Sequence, residues 1–213
     1  MFGDFLKGVK NSAFGIPESP DVDLNRFQDP VAKKCDWKPL KPGAANFDTH
    51  KLHKMGDDVL VYKPTPITLT MGIGFALAGV ALLASSLFGM IDHWIVLVVG
   101  SIFLVVGAIL FLQGTKPVAF DNRSKTFRRG RGNKDCTPFD QIHGIQILTK
   151  IGKVSSNSDS YQQDRYFYAY EMNLVMHDGG RNHVMSYTNK DQVINDADLI
   201  SQMTNAQIWN GIN

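Results

Sequence analysis

Ile67–Ile91 reads ITLTMGIGFALAGVALLASSLFGMI and Trp94–Gly114 reads WIVLVVGSIFLVVGAILFLQG; neither stretch holds a charged residue, and only Asp92 and His93 separate them. As helices rising ~1.5 Å per residue they would reach roughly 37 and 31 Å, enough to cross a hydrocarbon core about 30 Å thick. Two consecutive apolar runs of this length, divided by one short polar step, are uncharacteristic of a soluble core. The pattern predicts a two-helix transmembrane hairpin over residues 67–114 (67–91 and 94–114).

Within the first run Gly72, Gly79 and Ser86 recur every seven residues, with Ala76 four past the first of them. In the second, Gly100 and Ser101 return seven residues on as Gly107 and Ala108. Small residues at this spacing let helix backbones approach closely, which is how membrane helices associate. They therefore predict packing either within the hairpin or between copies in a homo-oligomer. No ionisable residue lies inside either run, which argues against a transporter. The two-residue step carries no Lys or Arg, whereas Lys51, Lys54 and Lys63 precede the hairpin. Seven basic residues follow it between Lys116 and Lys134. This asymmetry places both termini in the cytoplasm, Asp92–His93 on the far side and Trp94 in the interfacial belt.

The flanks read differently. Residues 1–48 lack the continuous apolar core of a secretory signal. Phe2, Phe5, Leu6 and Val9 would suit a short interfacial helix, but ten residues anchor weakly and a frayed tail is expected. From Asn11 to Phe47 five prolines leave no apolar period, and an irregular linker is expected. Thr49–Met55 and Val59–Lys63 read as two strands joined at Gly56-Asp57-Asp58. After the hairpin, residues 115–213 read as a β-rich domain. Val118–Phe120 and Thr126–Arg129 flank a polar turn, Phe139–Ile151 forms a long strand, and Gly152–Asp164 forms a polar loop. In the next strand Tyr166, Tyr168, Tyr170, Met172, Leu174 and Met176 alternate with Phe167, Ala169, Glu171, Asn173, Val175 and His177. A two-residue turn at Gly179-Gly180 would set Leu174 opposite Met185, Met172 opposite Tyr187 and Met176 opposite His183. Asn189 caps a closing helix expected to run to Trp209.

The order two strands, five strands, helix resembles a pleckstrin-homology-like (PH-like) domain. The segments AFDNRSKTFRRG, PFDQIHGIQIL and YEMNLVMHDGGRNHVMSY are similar to those of bacterial PH-like domains carried on two-span inner-membrane proteins. The resemblance implies a membrane α-helical hairpin plus an α+β unit, a barrel or sandwich of about seven strands closed by a C-terminal helix. It also implies that strands 49–66 belong to that domain, with the hairpin inserted after them. It carries no chemistry. The loop of the first strand pair, Gly56-Asp57-Asp58, is acidic where phosphoinositide-binding members are basic.

Arg123, Lys125, Arg128, Arg129, Arg131 and Lys134 form the one charge cluster, set against Asp121 and Asp135. Near a bilayer each basic side chain is worth roughly 1 kcal/mol of attraction to anionic headgroups. The cluster thus points to headgroup contact, topology enforcement or a protein partner, and not to nucleic acid, since no recognition helix or interleaved aromatics accompany it. Two cysteines, Cys35 and Cys136, in no metal-like spacing suit free thiols in a reducing compartment. His50 and His53 fall on opposite strand faces, and His177 and His183 are out of register, so no metal or other cofactor is expected. Only Glu18 and Glu171 are glutamates, no nucleophile or phosphate-loop motif occurs, and Glu171 reads as a solvated strand residue. The expectation is a non-enzymatic bacterial inner-membrane scaffold or adaptor that binds an unidentified protein partner or an anionic membrane surface. An immunity protein against a secreted, membrane-acting toxin fits the same features, and neighbouring genes would separate the two.

Overall fold

The computed structural model describes residues 21–41, 43–88, 94–132, 136–156 and 163–212. The N-terminal ten residues, the Asp92–His93 step and Lys134 lie outside them. The chain divides into two compact units.

One unit (Thr49–Arg123, Phe127–Cys136) contains two long helices, α2 (Pro66–Leu87) and α3 (Trp94–Gly114). An earlier one-and-a-half-turn helix, α1 (Pro30–Lys34), belongs to the other unit. Both long helices are apolar enough to cross a bilayer. Leu77, Ile95, Ile102 and Leu112 are each more than half exposed, a surface that water penalises and lipid does not. The helices pack on each other through their glycines, so the small residues serve the hairpin itself. A Cβ on Gly79 would stand 2.6 Å from Leu104 N and 2.7 Å from Gly100 O, and one on Gly107 would run into the backbone N of Ala76. Gly72 faces the backbone of Phe111, and Gly100 the side chains of Leu82 and Leu83. Ser86 is half-buried near the end of α2. Phe75 and Phe103 meet across the same seam with centroids 5.5 Å apart.

Apart from Thr126, Thr137 and Pro138, the same unit holds a five-stranded sheet in the order β1 (His50–Met55), β2 (Val59–Pro64), β3 (Val118–Asp121), β4 (Thr126–Arg129), β5 (Cys136–Pro138). β2 pairs antiparallel with β3 from Val59↔Asp121 to Tyr62↔Val118, so the strands that flank the hairpin are direct neighbours. Leu60, Tyr62, Val118, Phe120 and Phe127 are buried on one face, as period-two alternation requires.

The other unit contains a four-stranded sheet, β8-β7-β6-β9, made of β6 (Ile142–Ser156), β7 (Gln163–Met176), β8 (Arg181–Tyr187) and β9 (Gln207–Asn210). Helix α4 (Lys190–Thr204), capped by the Asn189 side chain on Gln192 N, packs on β6 and β7 through Val193, Ala197 and Ile200. Its face of the sheet carries Ile145, Ile147, Tyr170, Met172, Met185 and Tyr187.

Several expectations need correction. There are nine strands, not about seven, in two sheets that do not close into a barrel among the described residues. The final helix stops at Thr204 because Asn205 turns left-handed (φ 63°), and the next residues form β9, parallel to β6, instead of continuing the helix to Trp209. Phe139–Gln141 is a 3-10 turn ahead of β6. β6 and β7 extend into the expected polar loop and pair as far as Ser156↔Gln163. In the β7–β8 hairpin Met172 faces Met185, Tyr170 faces Tyr187 and Asn173 faces His183, a slip of three residues beside the turn that the extra residue Val184 reduces to two beyond it. The turn is longer, closed by Gly179 N to Met176 O and Met176 N to Gly180 O. Because the slip is even, Met185 and Tyr187 keep the expected face.

Replacing Gly79 or Gly107 with Ile should cost the hairpin about 1–3 kcal/mol through backbone overpacking. Gly74→Ile, where nothing lies within 4 Å, should cost nothing. Unfolding in mixed detergent–SDS micelles measures all three.

Asp196 on α4 is 7 % exposed, one carboxylate oxygen has no hydrogen-bond partner, and burial raises its pKa from 3.8 to about 6 against the Tyr187 hydroxyl, with the Asp48 charge adding to the rise. The folded state therefore binds the proton more tightly than the unfolded chain. Stability from this group is complete below about pH 4 and is lost as pH rises through about 6. Asp196→Asn should abolish that slope and raise stability at pH 7–8 by about 2–3 kcal/mol, as read by thermal unfolding across pH.

Candidate functional site

The structure divides the predicted basic cluster instead of gathering it. Arg123 is spent on Asp58, with Nε 2.8 Å from Oδ2, and that pair raises its pKa. Lys125 occupies the left-handed position (φ 51°) of the β3–β4 turn. Arg131 donates to Thr115 Oγ1 at 3.2 Å. Phe127 is buried, so Arg129 lies on the inward side of β4 and Arg128 on the outward, exposed side.

That outward side also carries two residues from before the hairpin. Lys51 and Lys63 are direct cross-strand partners, both exposed, on the face opposite Leu60 and Tyr62. Lys63 stands three residues ahead of Pro66, within about 11 Å of chain. The sheet is also stapled to both helix ends. His50 Nε2 donates to Gly114 O at the end of α3 (2.9 Å), and Thr49 O accepts from Thr65 N (2.9 Å) and Thr68 Oγ1 (2.8 Å) at the start of α2. Burial lowers the pKa of His50, the Gly114 carbonyl opposing and the Arg129 charge adding. A neutral ring is what these contacts need, with Nε2–H as donor and Nδ1 accepting from Thr49 Oγ1 at 3.0 Å. A lysine pair and Arg128 are thus fixed on one exposed face next to the helix ends.

The other unit contains a site that sequence reading missed. Glu171, expected to be solvated, is fully buried on β7, one of the two interior strands. Its Oε1 accepts from Leu40 N (2.7 Å) and Asn173 Nδ2 (3.0 Å), and its Oε2 from Lys41 N (3.1 Å) and Lys150 Nζ (3.4 Å). Lys150 also donates to Ser186 Oγ at 2.8 Å; burial lowers its pKa while Glu171 opposes the shift. Beside them Gln146 Nε2 donates to Asp36 O (3.0 Å), and Arg181 donates to Lys38 O and pairs with Asp36. The expected irregular linker is therefore a strap. Residues 35–41 cover the polar face of β6–β8, while Phe27, Val31, Ala32 and Trp37 pack with Val175 and Trp209. In the sequence Gln146, Lys150, Glu171 and Asn173 form a polar row on one face of two paired strands, which reads as a solvated face and carries no signal of the strap.

The chemistry of this second site is that of an internal clamp. Its carboxylate is saturated by four donors, and its lysine is held by that carboxylate, which leaves neither as a base for a substrate. No family model matches the chain, and neither a curated protein nor a solved structure does.

Glu171→Gln would strand the Lys150 ammonium in the interior and should cost about 3–5 kcal/mol. Adding Lys150→Met should recover a large part of the loss, because the uncompensated charge goes with it. Unfolding followed by tryptophan fluorescence (Trp37 rides on the strap) tests this, and simple additivity of the two substitutions would overturn it.

Proposed function

We propose that the chain is a non-enzymatic bacterial inner-membrane protein whose PH-like sheet domain acts as a scaffold or adaptor on the anionic cytoplasmic surface. The observation that carries the reading is the exposed Lys51–Lys63 pair with Arg128, on a sheet hydrogen-bonded to both helix ends. Anchored this close to the headgroups, three cations lie within a Debye length of anionic lipid, where each is worth roughly 1 kcal/mol. Two further features support the membrane arrangement. β2 pairs with β3, so the chain entering α2 and the chain leaving α3 end at one sheet, which suits two crossings with both termini on one side. The excess of Lys and Arg around that sheet supports a cytoplasmic side.

Spin-labelled lipids provide the test. In nanodiscs the wild-type chain should select phosphatidylglycerol over phosphatidylcholine several-fold at low salt. The triple variant Lys51→Glu, Lys63→Glu, Arg128→Glu should show no preference, and high salt should reduce that of the wild type. Equal selectivity in wild type and variant would overturn the reading.

A further inference from the structure

Two histidines that lie far apart in sequence meet at one end of the four-stranded sheet. β6 carries an irregularity between Ile142 and Gly144, which takes His143 out of the ladder and turns it toward His177, just past the end of β7. The His143 ring lies beside Trp209 with centroids 5.7 Å apart, and Gly144 leaves the space that this indole fills. The two Nδ1 atoms stand 3.0 Å apart.

Their outer nitrogens are both occupied. His177 Nε2 lies 3.0 Å from Asp140 O, a carbonyl that can only accept, so that nitrogen carries a hydrogen. His143 Nε2 lies 2.8 Å from Asp29 Oδ2. This nitrogen too carries a hydrogen, because the Asp29 carboxylate is an acceptor only. Its other oxygen is held by Val31 N at 2.7 Å. With both Nε2 atoms acting as donors, two neutral rings would point lone pair at lone pair across 3.0 Å. Something positive belongs between them.

We propose that His143 and His177 form a binding site for a borderline divalent transition ion, represented by Zn²⁺, ligated by both Nδ1 atoms. Zinc bonds imidazole nitrogen at about 2.0–2.1 Å, so two such nitrogens sharing an ion at the tetrahedral angle stand roughly 3.3–3.4 Å apart. The 3.0 Å here needs the exposed His177 ring to move back by only a few tenths of an ångström. Asp29 and the Asp140 carbonyl supply the outer hydrogen bonds that orient metal-bound imidazoles and set their tautomer. Among the described residues no group of three His, Cys, Asp or Glu converges on an ion, so water fills the remaining positions. His177 is exposed, which gives the ion a way in and makes the site exchangeable.

The test titrates Zn²⁺ into tag-free full-length protein in detergent, in competition with a chromophoric chelator. One ion per chain is expected, with a rise in thermal stability on binding. His143→Ala and His177→Ala should each abolish this binding, and Asp29→Asn should weaken it about 10–100-fold by removing the outer hydrogen bond of His143. His53→Ala, at an exposed ring on β1, should bind as the wild type does. His177 is on the surface, so its variant is expected to fold, and an unchanged melting profile without zinc confirms that. No zinc taken up by the wild type, or equal uptake by wild type and His177→Ala, would overturn the proposal and leave the pair sharing a proton only.

Discussion

Glu171 has been withdrawn entirely from water on an interior strand of its sheet, and much of its unit is arranged around the cost of doing so. An ionised carboxylate in the interior is tolerated only when donors surround it. Two of the four donors are backbone N–H groups from Leu40 and Lys41, which belong to a segment with no regular structure of its own. The charge thus tells the strap where to lie. The strap in turn covers Gln146, Asn173 and Lys150, none of which would be buried without it. On the opposite face of the same strands the constraint is an ordinary one, mostly apolar side chains under α4, with the Asp196 carboxyl discordant among them.

The unit that contains the helices obeys a different rule. In lipid no hydrophobic drive brings two helices together, so contact depends on how closely backbones can pack. Gly72, Gly79, Gly100 and Gly107 remove the side chains that would keep α2 and α3 apart, and the rest of each helix stays apolar and exposed. The hairpin then delivers its two ends to one sheet, where His50 and Thr49 bond to both of them. Anchor and sheet are hydrogen-bonded into a single piece.

Much of this was legible in the sequence, and what was not has physical reasons. The seven-residue spacing of small residues announced the helix seam, because periodicity reports a face. The alternation in β7 announced its two faces for the same reason. Alternation does not report what covers a face, so Glu171 read as solvated. The strap was invisible because its anchors, Ala32, Cys35, Trp37 and the N–H groups of Leu40 and Lys41, follow no period. The β7–β8 register slipped because a longer turn and the extra Val184 shift it by an even number, which face patterns cannot detect. The end of α4 turned on one residue, Asn205, entering a left-handed conformation that Asn tolerates better than most. The basic cluster was legible as composition, yet alternation along β4 and the partnering of Arg123 broke it up. Its place was taken by lysines from strands on the other side of the hairpin.

The pairing of β2 with β3 has a consequence for how the protein is made. Tyr62 meets Val118, so β2 leaves the ribosome about 56 residues before the strand that completes it. At 5–20 residues per second that is a wait of roughly 3–11 s, spent as an open edge while the two apolar helices are made. An unpaired edge of this kind recruits other nascent chains, and lysines are a common guard against such pairing. Of the lysines before the helices, Lys63 is the one on β2 itself, an exposed charge on the strand that waits for β3.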